Sequence, residues 1–414
     1  MQDPAPWQAW LEATLPAALD LLRRMVGINS FTGNPDGVNR LGTLTAEAFA
    51  PLGFQPAFVP STNAAWGRHL VLTRPGRTSA SVALVAHLDT VFPPEEEARN
   101  HFVWSVEGDR IFGPGTQDIK GGTVMIWIVL GALRALAPEA FESVTWKLFW
   151  NSSEEDFSPD FGVICRERMD AGTLAALVFE AEGRAAGRSL VVAARKGRGA
   201  WRATARGRAA HAGSAHDQGA NAVVQIARTV QQIAGLTDYA AGLTFNVGST
   251  TGGTVANRVP HEAEARGEYR AFTPAACARG KAALLALAGP GDVTSPRDGF
   301  ACEVGIEILT ESRPWPRNPA TDRLADLWVR AGRALGRDIG LQERGGLSDG
   351  NQLWDAVPTL DGLGPWGEHD HCSERSADGS KLPEYVLASS FTPKALLNIA
   401  AIRELLREAA PGGA

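Results

Sequence analysis

The chain has only four cysteines, Cys165, Cys277, Cys302 and Cys372, scattered without a Cys-x-x-Cys pair. That excludes a zinc ribbon or a disulfide scaffold and leaves reduced thiols in a cytoplasmic protein as the expectation. No apolar run approaches the roughly 18 residues of a membrane span. The opening Met1-Gln-Asp-Pro-Ala-Pro6 has no basic stretch leading into an apolar one, so neither secretion nor membrane insertion is expected. Positive charge is not in excess either. The formal net charge of −6 favours solubility and gives no electrostatic reason to bind nucleic acid or a membrane. A Gly-x-x-x-x-Gly-Lys-Ser/Thr loop is also missing, which argues against reading Lys120-Gly-Gly122 as a phosphate cradle.

What is present suits a two-domain globular protein: 414 residues, 44% of them apolar. Apolar positions recur at helical spacing from Trp7 to Met25 and again from Val38 to Leu52. Strands are expected at Phe54 to Val59, His69 to Thr73, Ser81 to Ala86, Val144 to Trp150 and Leu174 to Phe179, with a long apolar helix from Thr123 to Ala137. Alternating helices and strands up to Glu180 are the signature of an α/β fold with a mostly parallel sheet. After about Leu190 the half-exposed alternation of strands takes over, and the order becomes β-α-β-β-α-β, that of a ferredoxin-like domain. Helical periodicity returns from Thr321. The expected division is a catalytic domain in two parts, 1–190 and 312–414, interrupted by an inserted domain at 191–311.

Three of the apolar strands finish in metal-ligand chemistry. The first ends in His87-Leu-Asp89, the second in Glu154-Glu155 and the third in Glu180. Ligands bind outside the carboxyl ends of parallel strands, so these groups are candidates for one site. Asp118 stands in a Gly-rich turn that opens the Thr123 helix. Imidazoles and carboxylates without thiolates suit a catalytic metal site with open positions for water. Two ions ~3.5–4 Å apart need a shared carboxylate. Asp118 is the candidate bridge, with His87 and Glu180 on one ion and Glu155 and His371 on the other. Asp89 is placed to orient the His87 imidazole, and Glu154 to act as general base.

His87-x-Asp89, Gly113-Pro-Gly-x-x-Asp118-x-Lys-Gly-Gly122, Glu154-Glu155, Phe179-Glu180 and Ala210-His211-Ala-Gly213 resemble, in order and spacing, the di-zinc exopeptidase family of glutamate carboxypeptidase, acetylornithine deacetylase, succinyl-diaminopimelate desuccinylase and the aminoacylases. The resemblance covers essentially the whole chain. It implies a catalytic α/β domain with an inserted lid that serves homodimerisation, and two zinc ions for which cobalt or manganese could substitute. It also implies that His211 stabilises the oxyanion in the partner subunit's site. Asn257 and Arg270 resemble residues that grip a substrate carboxylate. Glu at 180 is similar to the carboxypeptidase and deacylase branch.

The tail departs from the family. A longer stretch, Cys372 to Leu382, separates the last histidines from Pro383-Glu384-Tyr385-Val386, so His369 or His371 could be the final ligand; His371-Cys-Ser-Glu374 is the better match. The expected activity is hydrolysis of a peptide bond next to a free carboxylate in a small-molecule substrate. An N-acyl-amino-acid deacylase would use the same site, and a metal-binding relative without activity is the alternative from another class.

Overall fold

The Ser81–His87 strand is buried along its whole length, as an unbroken apolar run between neighbouring strands must be. Thr145–Asn151 pairs with it in parallel on one side, with His87 opposite Asn151. Thr173–Val178 does so on the other, with Val85 opposite Val178. In this computed structural model, which describes residues 3–185 and 187–410, these strands form the centre of a six-stranded sheet. Its order is Gln55–Val59, His69–Arg74, Thr145–Asn151, Ser81–His87, Thr173–Val178, Thr359–Leu360. The first two strands join antiparallel and the rest are parallel. Met1 and Gln2, where the terminus was read as lacking a leader, lie outside the described residues.

Alternation along Ser81–His87 builds two apolar layers. Val82, Leu84 and Ala86 join Leu22 and Met25 of the Ala5–Val26 helix, Val129 and Leu133 of the Lys120–Leu136 helix, and Ile399 and Ile402 of the Phe391–Ala409 helix. Ala83 and Val85 face the other way, toward Phe149, Val178, and Phe161 and Cys165 of the Pro159–Arg168 helix. A sheet covered on both faces leaves its strand ends as the place for chemistry, and the parallel strands end together at His87, Asn151 and Val178.

Periodicity puts the start of the long helix at Thr123, but the chain begins it at Lys120. Gly121 and Gly122 allow this. A Cβ on Gly121 would lie 2.3 Å from the Thr116 carbonyl oxygen, and one on Gly122 2.1 Å from that of Phe179. The glycines let the helix N-terminus sit against the end of the Thr173–Val178 strand. A four-stranded sheet of Gly367–Glu368, Tyr385–Leu387, Arg110–Phe112 and Ser105–Glu107 has segments too short for periodicity to register.

Contacts divide the chain into two units. The first is Met1–Ala193, Arg317–Glu343 and Ser348–Ala414; the second is Ala194–Pro316 and Arg344–Leu347. In the second, the strand order is Thr244–Gly252, Glu262–Ala271, Gly197–Arg206, Ala301–Ser312, Gly289–Thr294. Trp201, Ala203 and Ala265 pack on the Ala222–Ala234 and Pro274–Leu285 helices through Ile226, Ile233 and Leu284. The first four strands and two helices keep the ferredoxin-like order. Gly289–Thr294 adds an edge strand beside Ala301–Ser312; its Gly-Pro-Gly-Asp start carries no strand signal. Among the described residues no helix is long and apolar enough to cross a membrane.

Candidate metal centre

Three strand ends of the first unit, the turn carrying Asp118 and the loop carrying His371 bring five donor groups together. His87 Nε2 lies 3.0 Å from Asp118 Oδ1 and 3.8 Å from Glu180 Oε1. His371 Nε2 lies 3.4 Å from Asp118 Oδ2 and 3.2 Å from Glu155 Oε2. The result is two three-donor groups, His87–Asp118–Glu180 and Asp118–Glu155–His371, with Asp118 in both. Each oxygen of the Asp118 carboxylate faces a different imidazole. His369 takes no part; its ring lies 5.8 Å from that of Tyr385.

Asp89 holds this arrangement in more ways than its spacing suggests. Its main-chain carbonyl accepts from His87 Nδ1 at 3.0 Å. Its carboxylate accepts the backbone N–H groups of Glu154 at 3.0 Å and Glu155 at 3.2 Å, and the Thr32 hydroxyl at 2.7 Å. One buried residue therefore orients the imidazole and fixes both glutamates. Asn151 supports the same turn: its Oδ1 accepts from Ser153 N–H and the Ser158 hydroxyl, while its Nδ2 donates to buried Asp349 at 2.8 Å. Sequence reasoning passed over Thr32, Asn151, Asp349 and Glu384. The only signals were a polar residue closing an apolar strand and two Gly-rich or acidic turns of no evident purpose.

The lengthened tail proves harmless to the site. The Glu384 N–H donates to the Cys372 carbonyl at 2.8 Å, so the extra residues leave and return at one point. Tyr385 then pairs opposite Phe112, and His371 stays beside Asp118.

The electrostatics show what the cluster lacks. Burial alone would lower His87, but bonding to Asp118 and Asp89 outweighs it and holds the imidazole well above its ordinary value. Bonding to Asp118 and Glu155 raises His371 to about 11. Burial, then the Asp118 charge, lifts Glu155 to about 7. Burial lifts Glu154 well above the carboxylate range, with Asp349, Glu155 and Glu180 adding to it. Burial opposes ionisation of Asp118 too, yet the two imidazoles hold it far below that range. Glu155 Oε1 is buried without a hydrogen-bond partner. Carboxylates crowded together and buried favour positive charge among them, which a divalent cation can supply.

Three candidates lie in the second unit. His211 Nδ1 accepts the backbone N–H groups of Gly213 and Ser214, both at 3.1 Å, so its ring proton sits on Nε2. The Asn257 segment is tied to it, with Ala212 N–H donating to the Asn257 carbonyl at 3.0 Å. Arg270 is engaged: it donates to Glu268 at 2.6 Å and to the Gly345 carbonyl at 2.9 Å.

Residues 193–284 match the family model of the peptidase dimerisation domain. Carboxypeptidase G2 of Pseudomonas sp. (strain RS-16) is 26% identical over 352 residues, 84% of this chain and 81% of that protein. These matches support the M20 metallopeptidase/amidohydrolase family. Solved structures share the fold. Aminopeptidase PepT of Bacillus cereus gives a TM-score of 0.71 at 21% identity over 94% of this chain and 98% of that one. A dinuclear metal binding peptidase of the M20 family from Bacillus subtilis gives 0.61 at 14% identity over 95% and 99%. The donor set fits metal ions. Bonds of about 2.0–2.2 Å in tetrahedral array put donors roughly 3.3–3.6 Å apart, and the nitrogen-to-oxygen separations run from 3.0 to 3.8 Å.

Proposed function

We propose that this enzyme hydrolyses a peptide bond next to a free carboxylate, as a glutamate carboxypeptidase does, with two zinc ions and as a homodimer. The observation that carries the reading is Asp118, whose two oxygens each serve one donor group. His87 and Glu180 would hold one ion, Glu155 and His371 the other. When bound, the ions would supply Lewis acidity toward the scissile carbonyl and lower the pKa of the attacking water. Glu154 takes the proton of the attacking water and hands it to the leaving amine. Its burial among Asp349, Glu155 and Glu180 raises its pKa, the direction that suits a group serving as base and then as acid. Asp89 keeps both glutamates in place by holding their amides.

His211 would steady the oxyanion in the partner's site by donating from Nε2, a role favoured by its two amide-bonded Nδ1 contacts. Asn257 and Arg270 would receive the substrate carboxylate, which at Arg270 must displace Glu268. Carboxypeptidase G2, a relative aligned over most of both chains, supports a carboxypeptidase over an aminopeptidase. The test is a panel of dipeptides and N-acyl amino acids, each with a free and an amidated C-terminus, given to zinc- and cobalt-loaded protein. Cleavage is expected only with the free carboxylate. Equal cleavage of the amidated forms, or a requirement for a free amino group, overturns the proposal.

A further inference from the structure

Glu384 is a fully buried carboxylate that the hydrolytic steps leave unused. Its Oε1 accepts the backbone N–H groups of Gln117 at 2.7 Å and Asp118 at 3.0 Å, and its Oε2 accepts that of Gly115 at 3.4 Å. Three amides of the turn carrying Asp118 thus converge on one side chain. The main chain of Glu384 adds two further ties. Its N–H reaches the carbonyl of Cys372, next to His371, and its carbonyl accepts from Gly113 N–H at 3.4 Å. One residue therefore links the turn that presents Asp118 to the loop that presents His371. These are the two elements of the site not built on the parallel strands, so neither is fixed by the sheet. Gly115 has a φ of 75°, a conformation in which its N–H can turn toward the carboxylate with those of Gln117 and Asp118. The Lys120 side chain closes the other side; a Cβ at Gly115 would lie 3.1 Å from Lys120 Cδ.

We propose that Glu384 is a positioning residue that sets the placement of Asp118 between the two donor groups by hydrogen bonding to the Gly115–Asp118 backbone. The inference rests on the reading of Asp118 as a shared metal ligand. Removing the carboxylate leaves three amides without their acceptor and lets the turn relax away from His87 and His371. Gln in its place keeps an oxygen at the Oε1 position, where the two shorter bonds are made, and gives up only the long bond to Gly115.

The experiment is cobalt titration of full-length wild-type, Glu384→Ala and Glu384→Gln proteins, with affinity taken from chelator competition and coordination from the visible cobalt spectrum. Circular dichroism melts show which variants are folded. Wild type is expected to take two cobalt ions. Glu384→Ala should bind them about 10–100-fold more weakly, the usual loss when a partner behind the ligands is removed, with an altered spectrum, and Glu384→Gln should recover most of the affinity and the wild-type spectrum. A folded Glu384→Ala protein with wild-type affinity and spectrum overturns the proposal, whatever its melting temperature. So does a Glu384→Gln protein as weak as Glu384→Ala, since charge rather than hydrogen bonding would then be at work. If Glu384→Ala does not fold, Glu384→Gln decides alone: near-wild-type affinity supports the proposal and a tenfold loss overturns it. A wild-type protein that takes up no cobalt overturns the functional reading as well, whereas two cobalt ions held equally tightly by all three proteins overturn only the role of Glu384.

Discussion

Replacing Asp89 by Asn removes a charge and one acceptor with almost no change in volume. In the native site Oδ1 accepts from Glu154 N–H, while Oδ2 accepts from Glu155 N–H and the Thr32 hydroxyl. An amide has one oxygen, so whichever way the substituted side chain turns, its NH2 group opposes one of the two glutamate amides. A buried donor left unpaired costs about 1–3 kcal/mol. At about 2 °C per kcal/mol for a large unit, the melting temperature should fall by roughly 2–6 °C. Displacing the Glu154–Glu155 turn should also lower turnover by about 10–100-fold, as loss of partners behind metal ligands does.

Thr32→Val is the control. It removes one hydroxyl bond to the same carboxylate, at about 1.5–3 kcal/mol for a bond to a charged group, but leaves both glutamate amides held. Calorimetry of metal-free protein and steady-state kinetics of loaded protein should show both variants destabilised and only Asp89→Asn crippled. If Asp89→Asn turns over substrate like wild type, or Thr32→Val is equally slow, the claim that Asp89 acts by fixing the Glu154–Glu155 amides is refuted.

Glu154→Gln should lower kcat by about 10²–10⁴-fold while zinc content by elemental analysis stays at the wild-type level. Loss of metal in that variant would make Glu154 a ligand instead of a base. His69 gives a pH prediction. Burial holds its imidazole below 6.5 despite Asp160, and its Nδ1 accepts from Ser152 N–H at 3.1 Å while Nε2 faces Asp160 at 3.3 Å. The unfolded chain therefore takes up the proton first as pH falls, and stability should decline below about pH 6.5 toward the lower folded value. Melting temperatures from pH 7.5 to 5 should fall less steeply for His69→Gln than for wild type; parallel curves would contradict the assignment.

The parts of the fold that were legible are those where one side-chain pattern meets one environment. Ser81–His87 is buried on both faces and reads as an apolar run, and the amphipathic Ala222–Ala234 helix reads at its 3.6-residue period. Gly121 and Gly122 misled because glycine signals a turn by itself, and only the Thr116 and Phe179 carbonyls packed against them explain their place inside a helix. Gly289–Thr294 was invisible because its strand character comes from Ala301–Ser312 beside it. In the site, residues that present a donor at a strand end could be singled out by type and position. Thr32, Asn151, Asp349 and Glu384 could not, since they act through backbone amides or through each other, and a side chain that bonds a distant main chain leaves no spacing to read. The excursion between Cys372 and Glu384 looked like a defect in the tail until its two ends proved to be hydrogen-bonded.

The sharing of Asp118 between two donor groups is tested most directly by counting metal ions. Purified chain incubated with zinc and desalted should carry two ions by elemental analysis, His371→Ala should keep about one, and Asp118→Ala, still folded, should fall below one because both groups lose a ligand. Two ions retained in folded Asp118→Ala, or none in the wild type, would contradict it.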